Sequence, residues 1–341
     1  MAVTMRELAK LAGVTRPAVS AVLNNSTSIR VSPKTRQKIL DLAASKNYVP
    51  NLAARQLKGQ SSGLIGLLSV PSYLGLVALL QAEIITCLQS QGMEVLTVHI
   101  NSYTDHQKVL QNFRSRNVNG IIALNMKSKL IQSESDAIPL VYCSHTNLCG
   151  FDVGCDIQLA GYLAAKHLIG HGRTNLVYLG LDTGPYNPIK FRGMCQALEE
   201  SGLDASKDRL LIVEDGNLTE ILQKLKRHRA DALICCNDFT AADMLKALIQ
   251  NGIKVPDDIA MTGIDGYAFC KYTPVTLATV AQPINELSQC ASEMLMRRIK
   301  EKIISEQFSN IKIPPVFIPG ESCGCPEAPC VKISGNAFIH L

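Results

Sequence analysis

The sequence has no tryptophan, and aromatic residues make up only 5% of its 341 residues. Stacking against a ring-shaped ligand would therefore have to use tyrosine or phenylalanine. No apolar run approaches the roughly 18 residues that cross a bilayer, which excludes a membrane-spanning protein. The opening run MAVTMRELAK carries charges where a secretory signal needs an apolar stretch, so we expect a cytoplasmic chain.

Motifs of the common enzyme classes are missing as well. The sequence contains no G-x-x-x-x-G-K-[ST] phosphate loop, no G-x-G-x-x-G dinucleotide loop and no H-E-x-x-H zinc site. The run GQSSG at residues 59–63 matches a nucleophile elbow, but that motif needs a strand before it and a helix after it, and here the order is reversed. A flexible linker is the better interpretation, and we expect neither catalysis nor a cofactor.

The twelve cysteines are expected to be thiols, because the chain lacks a secretory signal. Cys143 and the pair Cys235 and Cys236 lie in apolar runs and are predicted to be small core residues. Near the carboxyl terminus, Cys323, Cys325 and Cys330 could supply three zinc ligands, but the sequence offers no fourth cysteine or suitably spaced histidine beside them. We therefore expect incidental tail cysteines and no metal site.

Positive charge is concentrated at one end of the chain. The first 60 residues contain ten Lys or Arg against two acidic residues, a net charge of +8, whereas the remainder has 24 basic and 27 acidic residues, a net charge of −3. Such asymmetry is typical of binding to a phosphate backbone, because each neutralised phosphate releases counterions. A solvated basic face is the alternative.

Three short helices are predicted in this basic segment. Thr4 and Glu7 form a capping box and Gly13 stops the first helix; Thr15 can cap a second helix, and Ser32 followed by proline starts a third that runs to about Lys46. The second helix should bury Val19, Val22 and Leu23. Its predicted outward residues are Arg16, Pro17, Ser20, Ala21 and Asn24. This is a helix-turn-helix pattern, whose second helix enters the DNA major groove.

From Leu64 onward, apolar strands alternate with amphipathic helices. The predicted strands are Leu64–Val70, Glu94–Ile100, Gly120–Leu124, Pro139–Cys143, Leu176–Leu181, Leu210–Val213, Ala232–Cys236 and Ile259–Ile264. Predicted helices lie near 75–91, 105–117, 156–171, 189–202, 217–229 and 239–252. The alternation predicts an α/β fold of two doubly wound parallel-sheet lobes, with a ligand between them at the carboxyl ends of the strands.

Polar residues at strand ends and helix starts are the candidate ligand-binding groups. Asn237 follows a predicted strand, Asp265 follows another, Asp156 precedes a helix and Arg192 lies in the first turns of a helix. Together they would suit a hydroxyl-rich or heterocyclic polar ligand. Each could equally be a helix cap or an ion-pair partner.

These features resemble the lactose-repressor and galactose-repressor family of transcription regulators. The runs TMRELAKLAGVTRPAVSAVLNN, VSPKTRQKI and NYVPNLAARQL are similar to the family's helix-turn-helix, third helix and hinge. Further matches, in family order, are HLIGHGRTNLVYLG, FRGMCQAL, ADALICCNDFTAADMLKAL, VPDDIAMTGIDG, TPVTLATVAQP and PGESCG. The resemblance implies a sensor shaped like type I periplasmic binding proteins, and a homodimer.

The resemblance also implies which residues contact DNA. Arg16, Pro17 and Ala21 would be the main base readers, with Arg16 placed to read guanine. In the hinge, Leu57 would wedge between base steps, which needs a pair of hinges on pseudo-palindromic operator DNA. The other implied DNA contacts are Thr15, Ser20, Asn24, Lys34, Asn51, Ala54 and Lys58.

In the sensor, Asp156, Arg192, Asn237 and Asp265 match the family's effector contacts, with Gln282 a weaker match. The family's aromatic pair in the first sensor helix is replaced here by SVPSYLGLV, so the candidate stacking residues are Tyr73, Tyr186 and Phe191. The implied effector is a sugar or a nucleobase-like molecule.

The expected function is a repressor whose operator affinity changes when an effector binds between the lobes. We divide the chain into a helix-turn-helix domain at 1–49, a hinge at 50–62, a sensor at 63–325 and a tail at 326–341, which has no heptad pattern and so predicts dimers without tail-driven tetramers. A periplasmic binding protein and a sugar-processing α/β enzyme are the alternatives. The basic head and the missing catalytic motifs argue against them.

Overall fold

The computed structural model of the chain describes residues 3–23, 29–48, 62–71, 75–101, 105–126, 130, 137–146, 150–181, 187–213, 218–304 and 307–326. The backbone divides between Ser62 and Gly63 into two units, which are described separately.

Side-chain caps delimit the helices of the first unit, which are α1 (Met5–Ala12), α2 (Arg16–Leu23) and α3 (Pro33–Ser45). The predicted capping box is confirmed, because the Glu7 N–H donates to Thr4 Oγ1 at 3.3 Å and the Thr4 N–H donates to Glu7 Oε2 at 2.7 Å. Gly13 ends α1 with φ of 70°, a conformation that favours glycine. Thr15 and Ser32 accept hydrogen bonds from backbone N–H groups at the starts of α2 and α3, as predicted.

The core of the first unit is formed where the three helices meet. Leu8, Val19, Val22 and Ile39 are each at most 3% exposed. The prediction that Ala21 faces outward is wrong, because Ala21 is buried. It follows Ala18 by three positions and so lies on the same, buried face of α2.

The second unit alternates strands and helices along the chain. Its strands are β1 (Leu64–Ser69), β2 (Glu94–His99), β3 (Gly120–Leu124), β4 (Leu140–Ser144), β5 (Val153–Cys155), β6 (Leu176–Leu181), β7 (Leu210–Val213), β8 (Ala232–Cys235), β9 (Ala260–Asp265), β10 (Ala278–Ala281), β11 (Ile311–Ile313) and β12 (Val316–Ile318). Its helices are α4 (Leu76–Ser90), α5 (His106–Ser115), α6 (Ile157–Gly170), α7 (Asn187–Glu200), α8 (Leu218–Arg227), α9 (Asp238–Gln250) and α10 (Ile284–Glu301).

These strands form two sheets, one in each lobe. The first-lobe sheet has the order β11-β5-β4-β3-β1-β2, and all its pairings are parallel. The second-lobe sheet has the order β12-β10-β9-β8-β6-β7, parallel except for antiparallel β12 at its edge. Helices pack on both faces of each sheet. The predicted fold class is confirmed.

The chain passes repeatedly between the lobes. It crosses from β5 to α6, returns from β10 to α10, and crosses again from β11 to β12. Helix α10 buries Leu287, Ala291 and Leu295 against the first-lobe sheet. Within the ranges that the structure describes, no helix combines the length and the apolar character needed to span a membrane.

Candidate DNA-binding and ligand sites

The start of α2 presents the polar surface of the first unit. Thr15, Arg16 and Pro17 are exposed, and Ser20 is half-buried. Lys34 is exposed in the first turn of α3. Lys38 Nζ donates to the carbonyl oxygen of Ala12 at 3.1 Å, which ties α3 to the end of α1. The amino-terminal turn of α2 is therefore open to solvent, while Val19 and Val22 of the same helix are buried in the core.

Some predicted site residues cannot be placed. The DNA contacts Asn24, Asn51, Ala54, Leu57 and Lys58 and the stacking candidates Tyr73 and Tyr186 lie outside the described residues.

In the second lobe, Asp265 ends β9 in a strained backbone conformation. Its φ of 139° falls in a region that side chains other than glycine rarely adopt. The following loop is held by the fully buried Asp238, which accepts hydrogen bonds from the N–H groups of Gly266 and Tyr267 at 2.8 and 2.7 Å and from Thr279 Oγ1 at 2.5 Å. The strain persists because the rest of the loop is anchored.

Two neighbouring groups shape the chemistry of Asp265. Gln282 Nε2 donates to Asp265 Oδ1 at 3.1 Å. The Gln282 Oε1 atom is buried and has no hydrogen-bond partner among the described residues. Burial away from water raises the pKa of Asp265 to about 7, although the nearby Lys190 ammonium lowers it. The site thus contains a buried acceptor, Gln282 Oε1, that receives no hydrogen bond from the described residues, and the carboxyl group of Asp265, which is largely shielded from water.

Lys190 supplies a buried positive charge to the same site. It lies in the first turn of α7, is 6% exposed, and donates from Nζ to the carbonyl oxygen of Cys236 at 2.6 Å. Cys236 directly follows β8, the strand beside β9. The ammonium is therefore held at the carboxyl end of the second-lobe sheet.

A polar network occupies the carboxyl ends of β3 and β4 in the first lobe. Asn125 Oδ1 accepts from Ser144 Oγ at 3.0 Å and from the His145 N–H at 3.1 Å, while Ser144 Oγ lies 3.1 Å from Thr146 Oγ1. Burial, reinforced by the Lys190 charge, lowers the pKa of His145 to about 4. This imidazole is neutral at pH 7.

The strand ends of the two lobes face each other. Lys190 in the second lobe acts electrostatically on His145 and Cys155 in the first. The hydroxyl group of Tyr267 in the second lobe lies close to Gly75, directly before α4 of the first lobe, where an added Cβ would be 3.0 Å from that hydroxyl. A polar cleft thus lies where parallel sheets bind ligands.

Of the predicted effector residues, Asp265 and Gln282 are in direct contact. Asp156 and Asn237 act as helix caps. Asp156 accepts from the N–H of Leu159 at 3.2 Å, and Asn237 accepts from the N–H of Thr240 at 2.8 Å. Asp156 also lies 3.8 Å from Lys312 Nζ.

The remaining candidates lie on α7. Arg192 is exposed on α7. Phe191 is 7% exposed and packs edge-on against Tyr178, with ring centroids 6.1 Å apart.

Sequence reasoning missed Asn125, His145 and Lys190. Asn125 and His145 follow apolar strands, so the rule that selected Asn237 and Asp265 would have found them if it had been applied to the first lobe. No comparable signal marks Lys190, because a lysine in a first helical turn is ordinarily solvated.

Comparison with known proteins supports both units. Residues 4–51 match the model of bacterial regulatory proteins of the lacI family, and residues 165–323 match a periplasmic binding protein-like domain. The HTH-type transcriptional regulator DegA of Bacillus subtilis (strain 168) is 31% identical over 335 residues, covering 89% of this chain and 95% of that protein. The ribose operon repressor of Haemophilus influenzae (strain ATCC 51907 / DSM 11121 / KW20 / Rd) is 28% identical and covers 94% and 98%.

Among solved structures, the lac repressor dimer bound to operator and the anti-inducer ONPF superimposes with a TM-score of 0.75 at 20% identity, covering 95% of this chain and 99% of that one. The chain belongs to the lacI family of bacterial regulatory proteins. It is a DNA-binding transcription regulator with a periplasmic-binding-protein-like sensor.

Proposed function

We propose that the chain is a repressor that binds pseudo-palindromic operator DNA as a homodimer, and that a small polar effector bound between the lobes changes its operator affinity. The carrying observation is the desolvated, strained Asp265 facing polar groups of the opposite lobe, in a chain that also exposes the start of a helix-turn-helix recognition helix. Related proteins include a ribose operon repressor and a lac repressor bound to operator.

A sugar or nucleobase-like effector suits the donors and acceptors of the cleft. The Asp265 carboxylate accepts hydrogen bonds from hydroxyl or ring N–H groups, and Gln282 Oε1 is a second buried acceptor. Lys190 contributes donors from the same lobe. A hydroxyl-rich ring would satisfy these groups together, whereas a purely apolar ligand would leave them unpaired.

Two measurements test this proposal. Selection of genomic DNA fragments by the purified chain should enrich one pseudo-palindromic sequence. A thermal-shift screen with sugars, nucleosides and small acids should find a compound that raises the melting temperature and changes affinity for that sequence. Failure to enrich any sequence would refute operator binding, and turnover of a screened compound would refute a purely binding role.

Arg16→Ala should reduce affinity for the selected operator by about 1–3 kcal/mol, roughly 5- to 150-fold, because a bidentate contact to guanine would be lost. Affinity for random DNA should change much less. Fluorescence anisotropy with both DNA probes measures the difference. The matched control is Lys34→Ala, which removes another exposed charge and should weaken both probes alike if Lys34 contacts phosphate. Equal loss on both probes for Arg16→Ala would exclude base reading.

Asp265→Gly should stabilise the sensor while abolishing the effector response. Glycine tolerates the φ of 139°, so the free energy of unfolding should rise by about 1 kcal/mol or more once the strain is relieved. Asp265→Ala is the control, because it removes the carboxylate but keeps a side chain at the strained position. Chemical denaturation and ligand titration of both variants separate the two effects.

The stability gain of Asp265→Gly should also depend on pH. The Asp265 carboxyl of the folded protein holds its proton up to about pH 7, whereas an unfolded Asp titrates near pH 4. The native state therefore binds more protons between these values, and the wild-type protein loses stability as pH rises through 7. The difference between variant and wild type should be larger at about pH 8 than at about pH 5. A gain independent of pH would contradict the assigned titration.

A further inference from the structure

The structure assembles histidines and cysteines that are far apart in the sequence. His167 and His171 stand four residues apart at the carboxyl-terminal end of α6, and Cys323 and Cys325 follow β12. His171 Nε2 lies 3.3 Å from Cys325 Sγ, and His167 Nε2 lies 3.5 Å from Cys325 Sγ and 3.2 Å from Cys323 Sγ. The expectation that Cys323 is an incidental tail cysteine is wrong, because its side chain is fully buried in the second-lobe core.

We propose that His167, His171, Cys323 and Cys325 form a tetrahedral site for Zn²⁺. The ligand atoms of His167, His171 and Cys325 all lie within 4.8 Å of one another. Cys323 is outside that group of three, but its Sγ lies 3.2 Å from His167 Nε2, and we assign it as the fourth ligand. With Zn–N bonds of about 2.0 Å and Zn–S bonds of about 2.3 Å, a tetrahedral ion separates its nitrogen and sulfur ligands by about 3.5 Å. The three nitrogen–sulfur distances of 3.2 to 3.5 Å approach that value before any adjustment to an ion.

The local backbone suits this role. Helical residues four apart share one face, so His167 near the end of α6 and His171, which caps the helix directly after Gly170, lie on the same side. The His167 ring stacks on Phe317 with centroids 3.9 Å apart, which restricts its rotation. Gly324, between the two cysteines, has φ of 92°, and a Cβ there would lie 3.7 Å from His171 Nδ1. Gly324 therefore allows the chain to turn between Cys323 and Cys325, next to the His171 imidazole.

Ligand chemistry favours zinc over a hard cation. Two thiolates and two imidazoles are soft and borderline donors, which prefer zinc to magnesium or calcium. Two thiolates also neutralise the charge of the ion, so the half-buried site would hold no net charge. All four positions are protein ligands, which is the pattern of a structural site that fastens the segment after β12 to α6.

The test is cobalt and zinc titration of the reduced, chelator-stripped full chain. One Co²⁺ per chain should produce thiolate-to-cobalt charge-transfer absorption and the intense visible bands of tetrahedral geometry, and Zn²⁺ should displace it. Zn²⁺ should also raise the melting temperature of the stripped protein. Elemental analysis of the protein as purified supplies an independent stoichiometry.

Two variants locate the site. His171→Ala alters an exposed side chain and so should fold, yet it should lower Co²⁺ affinity by at least about 100-fold. Cys325→Ser should lose about half of the charge-transfer intensity, because one of two thiolates is removed. The matched controls are His99→Ala, an exposed histidine on β2, and Cys87→Ser, a half-buried thiol on α4, which should both bind Co²⁺ like wild type.

Three results would overturn the site. The first is a wild-type chain without charge-transfer absorption, and the second is an unchanged affinity in both His171→Ala and Cys325→Ser. The third is a disulfide between Cys323 and Cys325 in the protein as purified, located by peptide mapping without reductant, in place of bound zinc. None of these results bears on operator binding, which the DNA selection tests separately.

Discussion

Gly161→Ala is expected to lower the free energy of unfolding of the second unit by about 3 kcal/mol. Helices α6 and α7 approach so closely that a Cβ on Gly161 would lie 1.9 Å from the carbonyl oxygen of Lys190, and one on Gly193 would lie 1.9 Å from that of Gln158. Both obstacles are backbone atoms, so no side-chain rotation can relieve the clash. Urea denaturation of the purified chain measures the loss.

Gly170→Ala is the matched control for this prediction. Gly170 lies on the same helix, but nothing would lie within 4 Å of its Cβ. Alanine has the higher helix propensity, so this variant should be as stable as wild type or more stable by up to about 1 kcal/mol. If both variants unfold alike, close helix packing is not the cause.

Gly161→Ala should also disturb the effector cleft between the lobes. Moving α7 away from α6 displaces Lys190, whose ammonium is held against Cys236 beside Asp265. Any Gly161→Ala protein that folds should therefore respond poorly to the effector. The repeated crossings of the chain between the lobes would let such a change alter both of them.

Arg298→Met is expected to cost about 3–5 kcal/mol of stability. Arg298 on α10 and Asp152 form a buried pair, with side chains 6% and 2% exposed and Nη2 2.6 Å from Oδ1. A second contact joins Nη1 to Oδ2 at 3.1 Å, and Asp152 also accepts from the N–H groups of Tyr142 and Ser309. Methionine fills similar space but leaves the carboxylate without its counterion.

An exposed ion pair provides the comparison. Lys224 and Glu220 on α8 are separated by 2.8 Å, but their side chains are 41% and 50% exposed. Lys224→Met should cost about 0.5 kcal/mol or less, because water solvates the remaining charge. A loss of similar size in the two variants would show that burial of the Arg298 pair contributes nothing. Asp152→Asn with Arg298→Met should recover part of the loss, since the unpaired charge is then removed.

Local patterns account for what could be predicted of the fold. Caps at Thr4, Thr15 and Ser32 act within three residues, so the sequence alone marks the starts of α1, α2 and α3. The alternation of apolar runs with amphipathic segments was sufficient to predict the two-lobed α/β fold class. Strands β5, β11 and β12 have only three residues each, too few to show a period, and they were not predicted.

The sites were less accessible to sequence reasoning. The strand-end rule predicted Asp265 and the family resemblance added Gln282, and these two residues do meet. Asn237, chosen at a strand end, and Asp156, chosen at a helix start, serve as caps. Ala21 was misplaced because alanine packs equally well on either face of a short helix. The helical periodicity of the sequence alone could not decide which face of α2 carries Ala21.

The sequence by itself determined the basic helix-turn-helix, the alternation of strands and helices in the sensor, and membership of a regulator family, because each depends on neighbouring residues or on an ordered series of motifs. Only the tertiary structure decided that Lys190 is buried beside Asp265, that Gly161 and Gly193 bring two helices into backbone contact, and that His167 reaches Cys323 across 156 residues of chain. These arrangements arise from packing between distant segments. No local pattern records which segments will meet.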